Sequence, residues 1–142
     1  MDEIDRTIVA LLRENARRSY QDIGHQVHLS APAVKRRIDR LEQDGVLLGY
    51  TSVVNPEAFG WRAEAFVEMF CEGMMSAAAI KHAVESEHGV VSAHTVAGEA
   101  SALLHVMAAD TKALELALER IRATPGVTRT VTQVVLSTLF SR

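Results

Sequence analysis

The chain has 142 residues, 15 Lys+Arg against 18 Asp+Glu, and 48% apolar side chains. That apolar content can bury a core, so a disordered chain is excluded, and 8 Gly, 3 Pro and 1 Cys exclude collagen-like and disulfide-scaffold classes. Apolar runs are too short to cross a bilayer, the acidic start Met1–Arg6 has no apolar stretch behind it to make a secretory signal, and Cys71 has no partner for an internal disulfide. No membrane contact is expected, and a cytoplasmic location is.

Residues 2–15 read as an amphipathic helix. Asp2 sits at its N-cap, and Ile4, Ile8, Leu11 and Leu12 share one face. A second helix is expected over 19–27, with Ile23 and Val27 inward. After a short turn at His28-Leu29, Ser30 is placed to cap a third helix running to Gln43. Pro32 fits its first turn, Val34, Ile38 and Leu41 point inward, and Gly45 ends it. The β-branched stretch 46–54 predicts a strand, and 55–60 a junction between domains.

Residues 62–71 alternate between polar and apolar, as a strand with one buried face does. Phe66 and Phe70 interrupt its polar side. A helix over 76–87 follows, then strands over 90–97 and 102–108 joined by a tight hairpin at Gly98–Ser101. A helix capped by Asp110 or Thr111 runs to Ala123, and a Thr/Val-rich strand covers 127–139. The order β-α-β-β-α-β is that of a ferredoxin-like domain, so the chain is α+β with 1–45 helical, 46–60 linking and 61–142 ferredoxin-like.

Charge is unevenly spread. Residues 1–50 hold eight basic and eight acidic side chains, and the remainder seven and ten. The basic ones of the first half cluster at Arg17, Arg18, Lys35, Arg36, Arg37 and Arg40. Two short helices joined by a tight turn, the second with a basic row opposite its apolar row, describe a helix-turn-helix. The small residues Ser30, Ala31 and Ala33 would let such a helix approach base edges, while the arginines suit guanine or phosphate. A solvated basic face carries the same pattern.

His94 and His105 fall opposite each other if the hairpin centres between Glu99 and Ala100. Such a pair suits pH sensing, a shared metal, a ferredoxin-like enzyme site, or two satisfied histidines at a polar interface. No third ligand is spaced to complete a metal site, and no Gly-rich phosphate loop, CxxC or HExxH occurs, so no metal, cofactor or catalytic set is expected. Cys71 is read as a buried, inert thiol.

The chain resembles the leucine-responsive regulator/AsnC (Lrp/AsnC, feast/famine) family. The matching pieces are Ile4-Asp5-Arg6, Asn15-Ala16-Arg17, Leu29-Ser30, the run Val34 to Val46, Gly49-Tyr50, Asn55-Pro56, Gly60, Gly98, Pro125-Gly126-Val127 and Thr130 to Leu136. The resemblance implies a winged helix-turn-helix that binds DNA and a ferredoxin-like domain that senses a small effector, usually an amino acid. It also implies dimers, with 46–54 paired to its counterpart in the partner, and rings that are often octamers. Two reading helices per dimer would call for a pseudo-palindromic operator. The effector would lie near Gly98, Glu99, Ala100, Ser101 and Ala102, where the family's usual motif is Gly-Asp-x-Asp. Glu99 keeps one acid for an ammonium group, while Ser101 in place of Asp weakens a contact. A plain hairpin turn, and a ligand-binding module that does not read DNA, are the alternatives.

Overall fold

The computed structural model describes residues 1–73 and 75–140. It divides into two compact units, residues 1–53 and residues from 54 onward.

The first unit holds α1 (Glu3–Glu14), α2 (Tyr20–Val27) and α3 (Ala31–Gln43). Local sequence sets each start. Asp5 N–H donates to Asp2 Oδ1 at 2.8 Å and Asp2 N–H to Asp5 Oδ2 at 3.0 Å, a reciprocal capping box. Ser19 Oγ accepts from Asp22 N–H at 3.0 Å. Ser30 holds the N-cap position of α3, but its hydroxyl makes no capping bond, unlike the expectation. The turn between α2 and α3 is tight because Gly24 has no side chain: a Cβ there would lie 2.4 Å from the Leu29 carbonyl oxygen. His28 closes α2 in the left-handed region at φ 56. Ile8, Leu12, Ile23, Val27, Val34, Ile38 and Leu41 form the core. Each large aliphatic side chain buried there contributes about 1.5–3 kcal/mol.

Residues 46–54 are not a strand, and no β wing follows α3 among the described residues. Leu48 is 93% and Val53 96% exposed. The β propensity is real, but a strand forms only against a partner, and the described chain offers none.

The second unit begins with a 3-10 turn (Pro56–Phe59), then β1 (Ala63–Cys71), α4 (Ala77–Val84), β2 (Val90–Thr95), β3 (Ala102–Ala108), α5 (Thr111–Arg122) and β4 (Val127–Val134). The strands form one antiparallel sheet in the order β2-β3-β1-β4, which is the ferredoxin-like arrangement. Ala65, Val67 and Met69 of β1 and Ala102, Leu104, Val106 and Ala108 of β3 pack under Ile80, Val84, Leu114, Ala117 and Ile121 of the helices. The opposite sheet face carries Glu64, Phe66 and Glu68, as alternation requires.

Two boundaries differ from expectation. β4 stops at Val134, which faces Ala65, and Val135 N–H makes one further bond to the Glu64 carbonyl. Leu136 and Leu139 beyond it are 95% and 91% exposed. The hairpin between β2 and β3 is also longer and centred differently. Thr95 faces Ala102, so His94 faces Leu103 and His105 faces Ser92. The shift is by two residues, which leaves every side chain on its expected face but removes the His94–His105 pair.

Candidate nucleic-acid interface and effector loop

Helix α3 turns Val34, Ile38 and Leu41 into the first core, which leaves Lys35, Arg36, Arg37 and Arg40 outside it. They are not equivalent. Arg37 Nη1 donates to Asp2 Oδ2 and Asp5 Oδ1, both at 2.7 Å, and Arg40 Nη2 donates to Asp5 Oδ2 at 2.9 Å. Asp5 is 0% exposed, a charged side chain within the apolar stripe of α1. Two carboxylates thus meet two guanidiniums in a neutral clamp between the start of α1 and the outer side of α3. Burial opposes the charge on Asp5, but the Asp2 N–H and the Arg37 guanidinium outweigh it and hold the carboxyl below its ordinary value. The Asp5 N–H and then Arg37 lower Asp2 as well.

Lys35 Nζ donates to Asp39 at 2.6 Å. Arg18 bridges Glu14 and Asp22, both at 2.8 Å, tying the end of α1 to the start of α2. Arg17 and Arg36 are exposed, and neither side chain makes a hydrogen bond or ion pair among the described residues. The expected fully free guanidinium row is therefore corrected: Arg37, Arg40, Lys35 and Arg18 hold intramolecular partners, because acidic residues lie one turn away or on the facing helix. Ala31 and Ala33 are half-buried, and Ser30 is exposed with its hydroxyl outside any cap. Leu29 and Ala33 floor a shallow depression edged by Arg36, Arg37 and Arg40.

Asp5 is the residue that sequence reasoning passed over. It lies three and seven positions before Ile8 and Leu12, inside the apolar stripe. A carboxylate there, with two arginines at i and i+3 on another helix, was the available signal.

In the second unit, the predicted loop residues divide into two groups. Gly98, at φ 152, adopts a backbone that glycine favours, and Glu99 is exposed beside it. Ala100 is half-buried. Ser101 N–H donates to the Met69 carbonyl at 2.9 Å, and Ser101 Oγ accepts from the Cys71 N–H at 3.1 Å, where β1 bulges between Phe70 and Cys71. Ala102 is wholly buried. Ser101 and Ala102 therefore serve the sheet, which explains what the serine does. Cys71 is half-buried rather than fully enclosed. His105 stacks on Phe66 with ring centroids 4.8 Å apart and places Nε2 2.6 Å from Glu64 Oε1, while His94 is exposed. Among the described residues, no group of three or more His, Cys, Asp or Glu is arranged to hold a metal ion, and no helix is long and apolar enough to cross a membrane.

A helix-turn-helix unit presents its second helix to the major groove in DNA-binding proteins, and here it precedes a ferredoxin-like sheet. Residues 1–42 match the AsnC-type helix-turn-helix domain, and residues 64–142 match the Lrp/AsnC ligand binding domain. The chain belongs to the Lrp/AsnC family of transcriptional regulators. It is 48% identical over 142 residues to the HTH-type transcriptional regulator Rv2324 of Mycobacterium tuberculosis, covering 100% of this chain and 96% of that one. It is 37% identical over 145 residues to the HTH-type transcriptional regulator LrpA of the same organism, covering 99% and 93%. The solved feast or famine regulatory protein Rv3291c of M. tuberculosis, complexed with L-methionine, superposes with a TM-score of 0.91 at 37% identity, covering 99% and 95%. These relatives are transcriptional regulators, not enzymes.

Proposed function

We propose that the protein is a cytoplasmic transcription regulator that reads duplex DNA with α3. Residues 1–45 bind DNA, 46–60 link, and 61–142 sense and assemble. The observation that carries the reading is the exposed guanidinium of Arg36, unpaired among the described residues, beside the small residues at the start of α3. Arg36 reaches a base edge or phosphate, and Arg17 lies near a phosphate path. Arg37 and Arg40 act from fixed positions, because Asp5 orients them while their remaining N–H groups stay available. Ser30 has a hydroxyl that no cap uses, and Ala31 and Ala33 let the backbone approach.

The exposed apolar residues Leu48, Val53, Leu136 and Leu139 support a homodimer, with higher assembly up to the octamer common in the family. A dimer carries two reading helices and calls for a pseudo-palindromic operator. An amino-acid effector is supported by the L-methionine in the solved relative. Glu99 would take its ammonium group and the exposed backbone near Gly98 its carboxylate. The effector acts if it binds two assembly states with different affinity.

Gel shifts of the full chain with fragments of its own upstream region, repeated at rising salt, test the reading. A DNA reader loses affinity steeply with salt. Absence of a shift at low salt would leave the ligand-binding module without DNA reading as the surviving account. A thermal-shift series with the twenty amino acids tests the effector, which raises the midpoint by mass action.

A further inference from the structure

The depression on α3, with a volume of about 320 Å3, has a floor of Leu29 and Ala33 and a rim of Arg36, Arg37 and Arg40. A solvated surface patch would have no need of an apolar floor ringed by three cations. Ala33 is the third residue of α3, in the part of a recognition helix that meets base edges. In the major groove, the one apolar group that projects from a base pair is the pyrimidine 5-methyl, and the donors and acceptors beside it would lose water against Leu29 and Ala33 without gaining a partner. The rim is held in place on one side: Arg37 and Arg40 are fixed by Asp2 and Asp5. On the other side Arg36 is unpaired among the described residues, and its fork suits the O6 and N7 of a guanine.

Resting on the DNA reading above, we infer that this depression is a specificity site for a pyrimidine 5-methyl group next to a guanine, with Ala33 as the contacting residue. Thymine and 5-methylcytosine carry the same methyl group. The site takes that methyl, and the neighbouring exocyclic group of the ring distinguishes the two sources.

The test starts with selection of binding duplexes from a random library by the full chain. Each thymine of the selected site is then replaced by deoxyuridine, which removes the methyl and nothing else. One replacement per half-site, adjacent to a guanine, should lower affinity about fourfold, the worth of one methyl group in an apolar contact. At that position, 5-methylcytosine should exceed cytosine by a similar ratio, and whichever of thymine and 5-methylcytosine binds more tightly identifies the source. Ala33→Ser keeps the helix and exchanges the methyl contact for a hydroxyl, so it should reduce the thymine-to-uracil ratio to below about twofold. A selected site at which every uracil replacement is neutral would overturn the inference while leaving DNA reading intact. So would an unchanged ratio in a folded Ala33→Ser protein. A library from which nothing enriches would overturn DNA reading itself and this inference with it.

Discussion

The two units solve the same packing problem with different materials. The ferredoxin-like unit buries aliphatic side chains against its sheet, whereas the helical unit closes its core with a buried carboxylate, Asp5, bridged to Arg37 and Arg40. The sheet unit can therefore keep its candidate ligand loop apart from its core, joined mainly through Ser101. The helical unit draws stability from the same arginines that the proposed DNA reading uses. A substitution on α3 consequently reports on both, and the two contributions separate only when folding and binding are measured side by side.

The largest effect is expected from Leu104→Ala in the sheet unit. Leu104 is wholly buried between β1 and β2, so the cavity should cost about 2–5 kcal/mol. Urea unfolding should show it with no dependence on acid. Asp5→Ala should cost somewhat less, about 2–4 kcal/mol, because the abandoned guanidiniums are partly solvated. Its signature is pH. The Asp5 carboxyl in the folded unit titrates below its ordinary 3.8, so its stabilisation is fully present above that value. It is lost as pH falls through the lowered folded value. Asp2 behaves alike. Helix signal against urea from pH 5 to 2 should fall steeply for the native chain and less steeply for Asp5→Ala. Equal slopes would mean that the clamp contributes no linkage. Arg37→Ala shares this network, so it should lower stability together with DNA affinity rather than affinity alone.

These contrasts follow how far the sequence reaches. Caps at Asp2, Ser19 and Asp110, and the inward rows of α1, α3 and α5, depend on neighbours within a few residues, and the sequence carries them openly. The Asp5–Arg37 bond joins residues 32 apart, and no local period announces it. The β2–β3 register lies two residues from the expected one, and a two-residue slip preserves the polar/apolar alternation. Residues 46–54 and the stretch after Val134 have strand composition, but strand formation depends on a partner that composition does not supply. Of the candidate DNA residues, the basic row was legible as a row. Which of its members are engaged depends on acids one turn away for Lys35 and Arg18, and on Asp2 and Asp5 across the fold for Arg37 and Arg40.

Arg36→Ala sharpens the comparison on the helical side. Its side chain is exposed and bonds to nothing among the described residues, so stability should change by no more than about 0.5 kcal/mol. Operator affinity should fall about tenfold or more if it forks onto a base, with relaxed preference at that position. If it meets phosphate instead, the loss should be uniform across sequences and the salt slope should drop by about one. A stable Arg36→Ala protein with native affinity would remove α3 from the interface.

Ser101→Ala should give a modest stability change and probes the opposite unit. The hydroxyl accepts from the Cys71 N–H at the β1 bulge, so its loss leaves that donor to the solvent or unpaired, at a cost of about 0.5–1.5 kcal/mol. Effector response, read as the thermal shift with an amino acid, should persist, because the proposed ligand contacts are Glu99 and the backbone near Gly98. Glu99→Gln should behave in the reverse way, with unchanged stability and a diminished shift. If Ser101→Ala abolished the shift at native stability, the serine would contact the ligand directly, and the division between sheet-serving and ligand-facing loop residues would have to be redrawn.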